Sequence, residues 1–290
     1  MAIRGAEMGA LKWRFAWPDA QATISLMSEE PLSRIDGTSG ARRHFRYFDF
    51  VMAGFVVILL LSNLIGAAKQ AQITLPFFGP VTFGAGVLFF PVSYIIGDVL
   101  TEVYGYANAR RCIWAGFFAL LFMVVMSVVV VNIPANPEWA LASATYTVAG
   151  REVTAPNQAA YMAIFGQTPR IVLASLVAFW AGEFVNSFVL ARMKVMTGGK
   201  HLWTRTIGST IVGEGVDSLL FYPLAFLGVA GFPLHLILSL VVTQWIIKTV
   251  WEAVLTPVTY VVVGFLKRRE GVDVFDENVN FSPFAKTAAH

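Results

Sequence analysis

The chain has 290 residues and a formal net charge of +3; 57% of the residues are hydrophobic, only 13% are charged, and the mean hydropathy is +0.65. This composition excludes an ordinary soluble domain and indicates an integral membrane protein. Cys112 is the single cysteine, which excludes an intramolecular disulfide and a thiolate metal cluster, and the four histidines lack ligand spacing. We therefore expect no metal site and no cofactor.

The N-terminal segment, residues 1–44, is predicted to lie outside the membrane. It mixes Arg, Glu, Ser, Pro and Gly without periodic apolar positions, and it lacks the compact apolar core of a cleavable signal peptide. We expect a mobile cytosolic arm.

Apolar stretches of about twenty residues, the length that crosses roughly 30 Å of hydrocarbon, predict an all-α transport domain at residues 45–268 with six transmembrane helices. The predicted spans lie near 47–68, 86–106, 112–133, 170–192, 206–228 and 234–266. The last span is longer than a bilayer requires and contains Pro257, so we expect tilt, a kink or an extension into the cytosol.

Between the first two spans, residues 73–84 form two short apolar pieces around a Gly79-Pro80 turn. The pattern is typical of a small hairpin or a re-entrant cap over an external cavity, because irregular backbone near a membrane needs protein or water to satisfy its polar groups. An ordinary short loop is the alternative.

The distribution of lysine and arginine predicts the orientation. These residues collect before the first span and after the second, fourth and sixth spans, which places both termini in the cytosol of a multi-pass protein of the plasma (cell inner) membrane. The long connection 132–169 is poor in basic residues and contains four prolines, so it should lie outside. The two halves then have opposite topologies, as in inverted-repeat transporters, although no internal sequence repeat confirms this.

The C-terminal tail, residues 269–290, carries Asp273, Asp276 and Glu277 and then Phe281 and Phe284. A solvated cytosolic tail is the preferred interpretation, and a tail that covers the cytosolic surface is the alternative.

Ionisable residues within membrane spans are costly and usually mark a pathway, a ligand site or a proton relay. Seven lie inside or at the ends of the apolar stretches: Asp98, Glu102, Glu183, Glu214, Asp217, Lys248 and Glu252. Because a helix rises about 1.5 Å per residue, Glu183, Asp217 and Lys248 fall at similar heights near the middle of the fourth, fifth and sixth spans.

Spacing places further polar residues on the same helix faces. Asn186 follows Glu183 by three residues, Asp217 follows Glu214 by three, and Gln244 precedes Lys248 by four. These faces predict an acidic chamber inside the bundle. The alternative is that the polar side chains only form hydrogen bonds that hold the helices together.

Lys248 has two interpretations. It neutralises a carboxylate, either Glu252 or a partner on another helix, or it contacts a ligand carbonyl. In the first case the chamber keeps a surplus of acids, which selects cations or donor-rich ligands. A guanine-like ring is such a ligand, because one carboxylate can accept both its ring N–H and its exocyclic amine. Phe221 and Trp245 could stack on a flat heterocycle, although aromatic residues at helical spacing more often serve packing.

Several blocks of sequence carry a resemblance to a known family. They include the runs Asn-Leu-Ile-Gly-Ala-Ala-Lys at 63–69, Phe-Pro-Val-Ser-Tyr-Ile-Ile-Gly-Asp-Val-Leu-Thr-Glu-Val-Tyr-Gly-Tyr at 90–106, Gly-Glu-Phe-Val-Asn-Ser at 182–187 and Gly-Glu-Gly-Val-Asp-Ser at 213–218. Over about residues 45–284 the chain resembles the queuosine precursor transporters, also called the vitamin uptake transporter family.

This resemblance implies a six-helix uptake protein, similar in architecture to the substrate-binding subunits of energy-coupling-factor vitamin transporters. It implies inward movement of 7-deazaguanine bases such as preQ0, preQ1 or queuine. Some branches of the family carry glutamine and aspartate where this chain has Glu183 and Asn186, so ligand roles there are not carried over. The sequence contains no hydrolase, metalloprotease or P-loop motif, and we expect neither enzymatic activity nor a nucleic-acid partner.

As a mechanism we expect alternating access around a site between the second, fourth, fifth and sixth helices. Glu214 and Asp217 would bind the donor edge of the base, Glu183 and Asn186 would complete the ring contacts, and Gln244 and Lys248 would meet the carbonyl side. The substrate-binding set also includes Asp98, Phe221 and Trp245.

The remaining candidates are expected to act as a gate or as structural residues: Asn63, Tyr94, Glu102, Arg110 and Glu252. Asp98 and Glu102 form either a cytosolic gate with Arg110 or Arg111 or a fixed structural pair. Proton coupling through one of the carboxylates is a further hypothesis, supported only by their expected burial.

Two other interpretations stay open. The chain could be a substrate-binding subunit that needs a separate energising complex, or it could carry another small heterocyclic vitamin or base. The small-residue face at 208–215 would suit docking, a homodimer or internal packing.

Overall fold

The computed structural model describes residues 32–40, 43–66, 70–75, 79–85, 89–148, 150–166, 169–229 and 233–285. The helices in these ranges are α1 (Gly37–Gly40), α2 (Phe48–Leu61, continued by a π-helical turn at Ser62–Gly66), α3 (Phe90–Tyr104), α4 (Tyr106–Asn132), α5 (Pro137–Leu141), α6 (Asn157–Phe165), α7 (Pro169–Met196), α8 (Leu202–Phe226) and α9 (Leu234–Glu270). The strands are β1 (Ser33–Asp36), β2 (Gln70–Leu75), β3 (Gly79–Gly84), β4 (Ser143–Val148), β5 (Arg151–Pro156) and β6 (Val272–Phe275).

Six long helices coincide with the predicted spans, namely α2, α3, α4, α7, α8 and α9. Four of them, α2, α4, α7 and α9, are long and apolar enough to cross a membrane. Many large apolar side chains on these helices are exposed, among them Phe118, Leu173 and Val261, as expected of a surface in contact with lipid. The chain is therefore a mostly helical, multi-pass membrane protein, and the count of six spans stays a prediction.

Two glycines determine where long helices end. Gly105, with φ +82°, separates α3 from α4, and a Cβ atom there would lie 2.7 Å from Val274 Cγ1. Gly271, with φ +69°, ends α9 in the left-handed conformation that favours glycine. α9 has 37 residues and is about 55 Å long, which exceeds the roughly 30 Å of a hydrocarbon core; tilt, a kink and an extension beyond the bilayer all stay predictions.

We call the end of the bundle that carries Arg110, Lys194, Arg205 and Lys267 the basic end. The main buried core lies there, with Val103 and Tyr104 of α3 fully buried. At this end β1 pairs in parallel with β6, joining two segments that are far apart in the sequence. The Glu270 carboxylate accepts hydrogen bonds from the backbone N–H groups of Arg46 (3.0 Å) and Tyr47 (2.9 Å), just before the start of α2.

Two expectations about the chain ends are corrected here. Residues 33–36, which were predicted to belong to a mobile arm, form β1; residues 1–31 lie outside the described residues. The described part of the tail is not fully solvated, since Val272, Val274 and Phe275 are buried and extend the core of the helical bundle. This packing favours the alternative, a tail that covers one end of the bundle; that this end is cytosolic stays a prediction. Burial of these apolar side chains is the driving force.

The other strands form two antiparallel hairpins. β2 pairs with β3, so the hairpin predicted between the first two spans is confirmed, but the position of its turn was wrong. Gly79 pairs with Leu75 and Pro80 pairs with Thr74, so both residues belong to the second strand. The long connection, residues 132–169, contains α5, the β4–β5 hairpin and α6. It is not one continuous helix, as the prolines in this connection predict.

Small residues bring α7 and α8 close together. A Cβ atom at Gly213 would lie 2.6 Å from Asn186 Cβ, and one at Gly182 would lie 2.9 Å from Asp217 Cβ. Gly208 faces the end of the Met193 side chain in the same way. The small-residue face of α8 therefore serves internal packing, and it does not argue for docking or for a homodimer.

Candidate functional site

A charged cluster lies in the middle of the bundle and joins α8 to α9. Lys248 Nζ is 2.6 Å from Glu214 Oε2 and 2.6 Å from Asp217 Oδ2. The predicted interhelical pairing of Lys248 is thus confirmed, with two carboxylates rather than one. The three side chains keep 11%, 16% and 23% of their surface accessible, in the order lysine, glutamate, aspartate. We call Lys248, Glu214, Asp217 and Glu183 the central cluster.

α7 adds the fourth member, Glu183. Its carboxyl group interacts electrostatically with Glu214, Asp217 and Lys248. It also reaches α3, because a Cβ atom at Gly97 would lie 3.7 Å from Glu183 Oε2. The central cluster holds three acids and one base, and the predicted surplus of acids is present.

Asn186 lies one turn beyond Glu183, where α7 meets Gly213. Its Oδ1 atom is buried and has no hydrogen-bond partner within the described part of the chain. Buried amide oxygens are normally satisfied, so this one is available to a donor from a ligand. Gln244, the other predicted amide, is half-buried one turn before Lys248 on α9.

Asp98 and Glu252 form a separate pair between α3 and α9. Both residues are buried, with 1% and 0% of their surface exposed, and their carboxyl groups lie within hydrogen-bonding reach of each other. Asp98 was predicted to join the ligand site and Glu252 to act as a gate or to pair with Lys248. Lys248 forms salt bridges with Glu214 and Asp217 of α8, and Glu252 faces Asp98; the roles predicted for Asp98 and Glu252 stay predictions.

Glu102 belongs to a buried ionic network at the basic end, which contradicts one of its two open alternatives, a gate with Arg110 or Arg111. Arg205 donates two hydrogen bonds of 2.8 Å to its carboxylate, and Lys267 Nζ donates a third at 2.6 Å. Lys194 donates to the Glu102 carbonyl oxygen at 2.7 Å and also to Asp273 Oδ1 at 2.7 Å. We call these five residues the basic-end network.

Asp273, from β6, completes this network. Burial acts to raise the pKa of Asp273, but the ammonium groups of Lys194 and Lys267 outweigh it and hold the pKa below its usual value. Three cations thus surround two acids. In the sequence, Lys194, Arg205 and Lys267 indicate only the orientation in the membrane. The one sign that they pair is that Glu102 is predicted at the same end of the bundle.

Arg110 holds the tail in place. Its guanidinium donates to the carbonyl oxygens of Asn280 (2.9 Å) and Ser282 (3.1 Å), and Trp114 Nε1 donates to the carbonyl of Pro283 (2.9 Å). The role of Arg110 is therefore structural, because the carbonyl groups of the tail need donors once the tail is buried.

The aromatic candidates separate into two groups. Trp245 packs on Gly215 and donates its indole N–H to the Ile211 carbonyl oxygen at 2.8 Å, so it connects α9 to α8. Phe221 lies one turn beyond Asp217 and lines a cavity. Tyr222 interacts electrostatically with Lys248 and Asp217, which places an aromatic hydroxyl group beside the central cluster.

This cavity has a volume of ≈ 110 Å³ and lies toward the end of the bundle opposite the basic end. Apolar side chains form most of its wall, and Asn63, Ser127 and Ser175 contribute polar groups. Ser175 donates to Asn63 Oδ1 at 3.4 Å, and Asn63 lies in the π-helical turn that ends α2. Such turns often occur at functional sites. The side chain of Tyr94, the remaining gate candidate, lies outside the described residues.

Comparisons with known proteins agree with this architecture. Residues 84–262 match the family described as "Putative vitamin uptake transporter". A protein of Bacillus subtilis (strain 168), described as "Probable queuosine precursor transporter", is 30% identical over 213 residues, which cover 73% of this chain and 81% of that protein. No solved structure matches the chain. The chain belongs to the vitamin uptake transporter family, a family of transporters and not of enzymes.

Proposed function

We propose that this protein takes up 7-deazaguanine precursors of queuosine across the plasma membrane by alternating access around the central cluster. The observation that carries the proposal is the meeting of Glu183, Glu214, Asp217 and Lys248 from three helices at mid-bundle. The family and the name of the Bacillus subtilis relative support the substrate class.

The chemistry of the cluster suits a ring with several donors. Lys248 contacts one oxygen each of Glu214 and Asp217, and an ionised carboxylate accepts up to about four hydrogen bonds. The acids can therefore keep Lys248 and still accept a ring N–H and an exocyclic amine. Asn186 Oδ1 has no partner in the described structure and supplies another acceptor.

We assign roles accordingly. Glu214 and Asp217 bind the donor edge of the base, Glu183 and Asn186 complete the contacts to the ring, and Lys248 with Gln244 meets the carbonyl side. Phe221 stands between the cavity and the cluster. Under the predicted orientation, with six spans and both termini in the cytosol, the cavity faces outward and the basic end faces the cytosol. A base then enters past Asn63 and Phe221.

The test is complementation. The chain is expressed in bacteria that neither make nor import queuosine precursors, each base is supplied at low concentration, and queuosine in tRNA is measured. We expect rescue by at least one base and its loss in Glu214→Ala and Asp217→Ala. Glu138→Ala is the matched control, because this acid is exposed on α5 outside the bundle.

Each outcome separates the alternatives. Failure of every base, with the protein present in the membrane, contradicts the proposed substrate class. Transport by the purified chain in lipid vesicles excludes the need for an energising complex. Binding of a base without transport would instead identify a substrate-binding subunit.

A further inference from the structure

The Asp98–Glu252 pair is not explained by the substrate site. Asp98 lies on α3 between Gly97, which faces Glu183, and the turn that carries Glu102. Glu252 lies one turn beyond Lys248 on α9, toward the basic end. The pair thus occupies the region between the central cluster and the basic-end network.

Three of the four carboxyl oxygens of the pair lack an ordinary partner in the described part of the chain. Within the described residues, no hydrogen-bond donor reaches Oδ2 of Asp98 or either carboxyl oxygen of Glu252, and no lysine or arginine forms a salt bridge with them. Both side chains are more than nine-tenths buried. Buried acceptors without donors are rare, because the desolvation cost is not compensated.

The charged groups around the pair increase this cost. Glu102 on α3, Glu183 on α7 and Glu214 on α8 all interact electrostatically with one of the two carboxyl groups, and all three are acids. Lys248 on α9 is held by Glu214 and Asp217. Lys194, Arg205 and Lys267 are held by Glu102. The nearby cations are thus engaged by other carboxylates.

Two adjacent buried carboxylates repel each other strongly when both are charged, and one proton shared between them lowers this cost. The proton neutralises one group and supplies the missing donor to the other. A metal ion would need several more oxygen ligands than these two side chains offer.

We propose that Asp98 and Glu252 form a proton-binding site that couples uptake of the base to inward movement of one proton. The proton binds from the outer side as the base reaches the central cluster, and it leaves to the cytosol when the basic end opens. Glu252 is connected to the substrate site through Glu214, which binds Lys248 and interacts with Glu252. This inference rests on the proposed function for its substrate, but the shared proton can be tested without one.

The first measurement therefore uses no base. Infrared difference spectra of the purified full-length protein in lipid are recorded as the pH is raised. We expect a carbonyl band from a protonated carboxyl group in the wild type that is lost or shifted in Glu252→Gln and in Asp98→Asn but retained in Glu138→Gln. An unchanged band in both variants would overturn the shared proton.

The second measurement follows base uptake into vesicles with and without an acid-outside pH gradient. For one proton per base, a gradient of about one pH unit supports up to about tenfold accumulation. Glu252→Gln should still equilibrate the base but should not accumulate it. Asp98→Asn serves as the second variant if Glu252→Gln does not fold.

The two proposals fail in different ways. If no base moves under any condition, the proposed function fails, while the infrared band still tests the proton site. If the base is transported but its accumulation does not depend on the pH gradient, the proposed coupling to a proton is wrong. Accumulation that depends on a sodium gradient instead would contradict proton coupling and would indicate that the pair binds a metal cation.

Discussion

The central cluster and the basic-end network are both ionic assemblies between helices, yet they differ in charge and in accessibility. In the network, Glu102, Lys194 and Arg205 expose no more than 1% of their side chains, and cations outnumber acids. In the central cluster, Lys248, Glu214 and Asp217 keep 11% to 23% accessible, and acids outnumber the base. A closed, fully hydrogen-bonded network holds the helix ends and the tail together. The accessible cluster retains acceptor capacity for a ligand.

The largest expected effect tests the structural role of the network. Glu102→Ala leaves Arg205, Lys194 and Lys267 buried with only Asp273 as an acidic partner. Breaking a buried ionic assembly by removing one partner costs roughly 3–5 kcal/mol, so we expect a large loss of folded protein. Thermal unfolding in detergent, followed by tryptophan fluorescence, measures it.

The control for this variant is Glu277→Gln, because Glu277 pairs with Arg34 on the exposed surface. Exposed ion pairs contribute roughly 0–1 kcal/mol, and the control should unfold close to the wild type. Equal destabilisation by both variants would contradict a structural role specific to the network.

The central cluster should respond in the opposite manner. Glu214→Gln or Asp217→Asn removes a hydrogen bond to a charged group, worth roughly 1.5–3 kcal/mol, and should weaken binding of the base about ten- to a hundredfold. The melting temperature should change far less than in Glu102→Ala. Titration calorimetry with the base that supports complementation checks the affinity. Wild-type affinity in both variants would contradict the assignment of the binding site to the central cluster.

An intermediate effect is expected where α7 and α8 cross. Gly213→Ala places a methyl group 2.6 Å from Asn186 Cβ, and overpacking of this kind typically costs about 1–3 kcal/mol. Because Asn186 and Glu214 adjoin this contact, uptake should fall together with stability. Gly208→Ala is the matched control, since its nearest neighbour is the flexible end of Met193 at 3.0 Å. Equal effects of the two variants would exclude a special role for the Gly213 contact.

The smallest expected effect concerns the pH dependence of tail attachment. Burial raises the pKa of Asp276 to about 6, even though its Oδ2 accepts a hydrogen bond from the Tyr106 N–H. The folded state then binds the proton more tightly than the unfolded state, so Asp276 stabilises the fold below about pH 4, and this contribution is lost as the pH rises through about 6.

Asp276→Asn removes this titration and keeps a side-chain oxygen for Tyr106. The variant should be more stable relative to the wild type at about pH 7.5 than at about pH 5, as measured by the difference between their melting temperatures. A difference that stays constant over this range would show that Asp276 does not titrate there.

Much of the fold could be predicted because the bilayer constrains length and composition. Each predicted span overlaps a helix, and four of these helices are long and apolar enough to cross a membrane; the count of six spans stays a prediction. Helical spacing also placed Glu214 with Asp217 and Glu183 with Asn186 on faces that do meet. These features depend on local periodicity, which one sequence displays directly.

Partner choice could not be predicted in the same way. Lys248 and Glu252 are four residues apart and could have paired, but α8 offers Lys248 two carboxylates, while α3 presents Asp98 to Glu252. Likewise, Glu102 pairs with Arg205, Lys194 and Lys267, which lie 92 to 165 positions away, and not with Arg110, which is much nearer in the sequence. Nothing in local spacing ranks such distant partners.

The sequence by itself therefore determined the class of protein, the approximate helices and the acidic character of the site, because hydropathy and helical period are local properties. Only the tertiary structure decided which acids are neutralised, which remain accessible and where the two chain ends lie. Those outcomes depend on how closely the helices approach, at Gly182 and Gly213 above all, and on the pairing of β1 with β6. Contacts between distant segments set the electrostatic environment of each carboxyl group.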